Sequence, residues 1–85
     1  MLRVSVISPE RVLYKGEASG VVAPAFDGEV GILSGHAPMM TLLGRGELRL
    51  SGGAGAGAQR FRVAGGFLQV VDDQVRVVTE QAEAV

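Results

Sequence analysis

Gly28-Glu29-Val30-Gly31-Ile32-Leu33-Ser34-Gly35-His36-Ala37-Pro38-Met39-Met40-Thr41-Leu42-Leu43 holds the single histidine of the chain and one of its three prolines. Glycines at 28, 31 and 35 cut an otherwise apolar run into pieces too short for a helix. Within a strand, glycine marks a bulge, a bend or a close backbone approach, and proline has no N–H to give to a central ladder. The stretch therefore predicts a short strand, a tight corner and a second strand. Met39, Met40, Leu42 and Leu43 place apolar residues on both faces of that second strand, so it is either covered on both sides or exposes an apolar patch suited to a partner.

Working outward, the flanking segments carry the same period of two. Leu2, Val4 and Val6 alternate with Arg3 and Ser5, and Ser8-Pro9-Glu10 ends that strand. Arg11 to Lys15 reads as a second strand, Gly16 to Gly20 as a break, and Val21-Val22-Ala23 as a third strand whose Pro24 belongs at an end or edge. Asp27-Gly28 is a turn signal. After a Gly44-Arg45-Gly46 turn, Leu48 and Leu50 point inward from Glu47–Ser51, and Phe61 and Val63 from Gln59–Ala64. Between these two lies the Gly/Ala run Gly52–Ala58, with too little side chain to bury, which predicts a flexible hairpin loop. Gly65-Gly66 marks a bend, and Phe67–Val71 and Val75–Thr79 form a hairpin across Asp72-Asp73-Gln74. The tail Thr79 to Val85 has helix-forming residues but is too short to hold a helix unaided. The fold class is thus all-β, an antiparallel sandwich or flattened barrel in one domain, residues 1–85.

Composition limits the chemistry. Apolar residues make up 47% of the chain and aromatics 5%, so the core is built from Val, Leu, Ile and Ala. With no cysteine, disulfides and thiolate metal sites are excluded, and one histidine leaves only carboxylates without the spacing of a calcium loop. Ser34 and His36 stand about 6.7 Å apart in extended chain, beyond hydrogen-bond reach, so a hydrolase built on His36 has no partner in sequence. The glycine loop lacks both GxGxxG and Gly-Lys-Ser/Thr, and Lys15 lies in a strand pattern, where a lipoyl-type lysine would need a hairpin tip. Net charge is −1, and the arginines at 45, 49, 60, 62 and 76 are not interleaved with stacking aromatics, which argues against nucleic acid. No stretch reaches the roughly 18 to 20 apolar residues that cross a bilayer as a helix, and the N-terminus lacks the long apolar region of a signal peptide. The expectation is an intracellular chain whose membrane association is indirect, with no cofactor.

Gly28-Glu29-Val30-Gly31-Ile32 followed by Gly35-His36-Ala37-Pro38 and an apolar pair resembles the epsilon subunit of F-type ATP synthases. Gly65-Gly66-Phe67-Leu68-Gln69-Val70 and then Asp72-Asp73-Gln74-Val75-Arg76-Val77-Val78 match that family's next strand pair in the same order. The resemblance covers nearly all 85 residues and corresponds to the family's N-terminal β-domain. It implies a non-catalytic central-stalk subunit on the cytoplasmic face of the bacterial membrane, joining gamma to the c ring and coupling proton flow to ATP synthesis.

By the same resemblance, Glu29, with Asp27 beside it, faces the polar loops of the c ring, and Ser8, His36 and Thr41 face gamma. Met40 and Leu42 join the gamma surface through the exposed-patch reading of their strand. Many members continue past the equivalent of Glu80 into an α-helical hairpin that restrains rotation and in some binds ATP. Here Gln81 to Val85 follow, so the expectation is coupling with little autoinhibition and no ATP binding. The rival readings are a free-standing β-sandwich that binds a ligand and a hydrolase using His36.

Overall fold

The computed structural model describes residues 1–52 and 59–84, and every regular element among them is a strand. In chain order these are β1 (Leu2–Ile7), β2 (Val12–Ala18), β3 (Gly20–Ala25), β4 (Gly28–Leu33), β5 (Met39–Leu42), β6 (Arg45–Ser51), β7 (Gln59–Val71) and β8 (Gln74–Ala84). They pair in the order β2-β1-β8-β7-β6-β3-β4, with β5 also on β7. All pairs are antiparallel except β1 with β8. Residues 53–58, most of the expected Gly/Ala hairpin loop, lie outside the described residues.

One sheet becomes two layers because three neighbouring strands fold over along a common line. In β7, Phe61 and Val63 are buried before the glycine pair and Leu68 and Val70 after it, so the inward face changes from odd to even positions. The same change occurs between Leu43 and Leu48, and in β8 between the buried Val75, Val77 and Thr79 and the half-buried Ala82. Across this line β5 and β6 keep a constant register against β7, and the ladder bridges the gap through Leu43 N–H to Gly66 O at 2.9 Å. The expected bend at Gly65-Gly66 is therefore a corner inside one continuous strand, where the sheet passes from one layer to the other. Both glycines have positive φ, 73° and 103°, and a Cβ on Gly66 would collide with the Val78 carbonyl oxygen.

The first layer comprises β2, β1, the start of β8, the end of β7, and β5. The second comprises the end of β8, the start of β7, β6, β3 and β4. Between them lies the core, which includes Val4, Val6, Leu48, Leu50, Phe61, Val63, Val75 and Val77, the eight positions that alternation places inward. Buried Thr79 satisfies its hydroxyl on the Gln81 carbonyl at 2.8 Å, beside the corner.

Several element ends differ from the sequence reading: β6 begins at Arg45, inside the expected Gly44-Arg45-Gly46 turn, because Arg45 and Gly46 pair with Ala64 and Val63. β2 runs on to Ala18 because Gly16, Glu17 and Ala18 find partners in Val4, Arg3 and Leu2. β3 includes Pro24: its carbonyl accepts from Gly44 N–H at 2.8 Å, so its nitrogen faces that same side, where the ladder with β6 has lapsed after Val22. The tail 80–84 is strand because it pairs with Phe61 to Ala64, and that pairing outweighs the helix propensity of Glu, Gln and Ala.

Candidate interaction surfaces

The two outer faces of the sandwich are chemically unlike. On the second layer, ion pairs link neighbouring strands, Arg60 to Glu47 at 4.0 Å and Arg62 to Glu83 at 3.4 Å, and one pair reaches across β3, Arg49 to Glu29 at 3.3 Å. Arg49 and Arg60 stand directly opposite each other, and the carboxylates of Glu29 and Glu47 offset that repulsion. This is a solvated face, and each exposed pair contributes little to stability.

The first layer instead carries an apolar row. Register places Leu42 beside Phe67, Phe67 beside Val78, Val78 beside Ile7, and Ile7 beside Val12, so five strands contribute one apolar side chain each. A bulge at Val6/Ile7, which skips Leu13, brings Val12 into line. Leu42 and Val12 are 62% and 57% exposed, and the three between them are half-buried or better packed by their neighbours. Met40, 63% exposed, continues the patch along β5, and Phe26, 68% exposed, adjoins it because Phe26 N–H donates to the Leu42 carbonyl at 3.1 Å.

The residues expected to face gamma frame this layer. Ser8 sits in the β1–β2 turn, exchanging hydrogen bonds with Arg11. His36 lies at the far end, where β4 leads into β5; its Nδ1 donates to the Ala37 carbonyl at 2.7 Å, and among the described residues no hydroxyl or carboxylate engages the ring. Met40 and Leu42 point outward, whereas Thr41 points the other way and is half-buried at the open edge of β5. A hydrolase site on His36 thus gains no geometry here, and among the described residues no cluster of histidine and carboxylates could hold a metal.

Asp27 and Glu29 lie at the opposite end of β4 from His36, a strand's length of roughly 20 Å. Asp27 is exposed in the β3–β4 turn. Glu29 is one step into β4 and held by Arg49, a partner that the sequence did not indicate because β3 runs between their strands. Phe26 was likewise missed: it reads as the end of an apolar strand, and its exposure follows only from its place in the turn.

The family model for the ATP synthase delta/epsilon chain β-sandwich domain matches residues 1–85. The chain belongs to that family. The ATP synthase epsilon chain of Syntrophomonas wolfei is 41% identical over 80 residues, 94% of this chain and 58% of the relative. That of Rhodopirellula baltica is 47% identical over 81 residues, 95% of this chain and 62% of the relative. The chain therefore spans about three fifths of the length of these curated relatives. Among solved structures, a chain of the Euglena gracilis mitochondrial ATP synthase OSCP/F1/c-ring assembly shares the fold with a TM-score of 0.87 at 24% identity, over 98% of this chain and 52% of that one. A chain of the Tetrahymena thermophila central stalk/c-ring assembly does so with a TM-score of 0.76 at 16% identity, over 96% and 65%. The delta/epsilon β-sandwich expected from the Gly-Glu-Val-Gly-Ile and Gly-His-Ala-Pro segments is thus the fold and family of this chain.

Proposed function

We propose that this chain is the β-domain of an epsilon-type central-stalk subunit of a proton-translocating ATP synthase, at the cytoplasmic face of a bacterial membrane. It is non-catalytic there, joining gamma to the c ring so that rotation of one turns the other. The family match over the whole chain carries the reading, and the contrast between the two outer faces supports it. A close-packed sandwich of low compressibility suits a part that transmits torque. The first layer, with Met40 and Leu42 outward, Ser8 and His36 in turns at its two ends and Thr41 at its edge, takes gamma. The β3–β4 turn, with Asp27 and Glu29, takes the polar loops of the c ring. Because Phe26 is hydrogen-bonded to Leu42, the two surfaces meet at one corner, as a junction between gamma and the ring requires. Neither ATP binding nor restraint of hydrolysis is assigned to this domain.

Co-purification tests the reading against a free-standing binding module. The tagged chain, mixed with gamma and with detergent-solubilised c ring, should retain both. Recovery of the chain alone, with saturable affinity for a sugar or peptide, would replace the stalk role with the module.

A further inference from the structure

The apolar row has a direction as well as a composition. It runs across the strands, from β5 to β2, and neighbouring strands are about 4.8 Å apart, so Leu42 and Val12 are separated by about 19 Å. A strand of an orthogonally stacked partner sheet could also run along such a row, but its same-face side chains recur about every 6.7 Å, out of step with the strand spacing. An α-helix rises 1.5 Å per residue, and about 13 residues of helix would cover it with one apolar stripe.

Two residues farther along each strand, or three along β2 across its bulge, the next row on the same face reads Met40, Gln69, Arg76, Ser5 and Lys15. Arg76 and Lys15 flank Ser5 from both sides and are exposed. They border a shallow groove of about 350 Å³ that Arg3 also lines, with Glu17 as its one carboxylate among the described residues. The cations lie on one flank of the apolar row and toward its β2 end, while the β5 end is flanked by Met40 and Phe26.

We propose that this face seats a single α-helix of gamma, laid across the strands. Its apolar stripe covers the row from Leu42 to Val12, and its carboxylates, on one flank and toward one end, meet Arg76 and Lys15. The proposal rests on the stalk reading and specifies the kind of surface that gamma brings to it. The placement of Arg76 and Lys15 says on which flank, and toward which end of the row, the carboxylates of the helix lie.

The test uses this chain bound to gamma, with a photo-crosslinking residue at Leu42, Val78 or Val12 in turn. These positions are two strand spacings apart, so a transverse helix places the crosslinked gamma residues in one segment, in order, about six to seven residues apart. Double reversal, Arg76→Glu with Lys15→Glu, should weaken gamma binding at least tenfold at low salt and invert its salt dependence, so that added salt now strengthens it. Arg60→Glu, on the other face, should leave binding unchanged. Circular dichroism and melting of each variant separate a lost contact from a lost fold. Crosslinks scattered over several segments, crosslinks at every second residue, or none while the complex forms would overturn the helix and leave the stalk reading in place. Failure of the unsubstituted chain to bind gamma would remove both.

Discussion

The carboxylate of Asp73 accepts a hydrogen bond from the backbone N–H of Gly35 at 2.7 Å, joining the β7–β8 turn to the corner that carries His36. Both residues have positive φ, 61° and 86°, and Asp72 has it too at 50°, so the Asp72-Asp73 turn is of the type with two left-handed residues. Asp73 also receives Arg3 N–H on its carbonyl at 2.8 Å, and thereby ties β1 to the same point. Asp73→Ala should cost about 1 kcal/mol in urea unfolding, by loss of a charge-assisted bond at an exposed site and a poorer left-handed residue. Asp73→Asn keeps an acceptor and tolerates the conformation, so it should recover most of that. If the alanine variant unfolds at the same urea concentration, the bond does not hold the corner.

Gly66→Ala should be far costlier. The added Cβ meets the Val78 carbonyl and stands 2.7 Å from Thr79 Cα, at φ 103°. A loss of about 3 kcal/mol or more is expected, from backbone strain and steric displacement at the corner. Gly31→Ala has open space and no positive φ, and should change stability by less than about 0.5 kcal/mol. Equal melting temperatures for the two variants would mean that the corner is not where the sheet folds over.

How much of this was readable in advance depends on how far each feature reaches along the chain. Alternation in Leu2–Ile7, Glu47–Ser51 and Gln59–Ala64 named the buried residues because a strand's faces are a local property. The change of inward face at Gly65-Gly66 was visible only as a bend, since its effect depends on Leu43–Gly44 and Glu80 changing face beside it. Residues 81–84 received no strand assignment for a related reason: their partners, Phe61 to Ala64, lie well upstream. Of the proposed contact residues, Met40 and Leu42 were legible as apolar residues on a strand already apolar on its other face. The row that continues them through Phe67, Val78, Ile7 and Val12 required the register of four pairings.

Core truncation offers a direct check on the layers. Val63 is 1% exposed and sits on the second layer's inner face. Val63→Ala should cost about 1 to 3 kcal/mol in chemical denaturation, through lost transfer energy and a residual cavity. Leu48→Ala, at a fully buried position, should cost about 2 to 5 kcal/mol. Values near zero for both would place the core elsewhere.

Glu29 and Arg49 permit a charge exchange that separates fold from coupling. Glu29→Arg sets two cations together on an exposed face, so stability should fall by no more than about 1 kcal/mol while proton pumping of the assembled enzyme drops. Adding Arg49→Glu rebuilds the ion pair in reverse and should restore the melting temperature. Pumping should stay impaired, because the proposed c-ring contact then carries the wrong sign at position 29. Full recovery of pumping in the double variant would mean that Glu29 acts only through Arg49.

Met40→Glu and Leu42→Glu alter side chains that are more than half exposed. The isolated chain should melt within a few degrees of the unsubstituted one, yet gamma retention in a pull-down should fall by at least tenfold. Retention at the original level would take both residues off the gamma surface.

The parallel ladder between β1 and β8 joins Arg3 to Gln74 and Ile7 to Val78, so an interior strand of the first layer waits for β8, roughly seventy residues downstream, to be synthesised. Until β8 leaves the ribosome, β1 can pair only with β2, and one of its edges stays open to any passing strand. Contacts of such long sequence separation close slowly, because the loop entropy is lost before the pairing is gained. The nascent chain is therefore expected to linger as hairpins, exposed to aggregation and proteolysis, and to snap shut only after translation of β8.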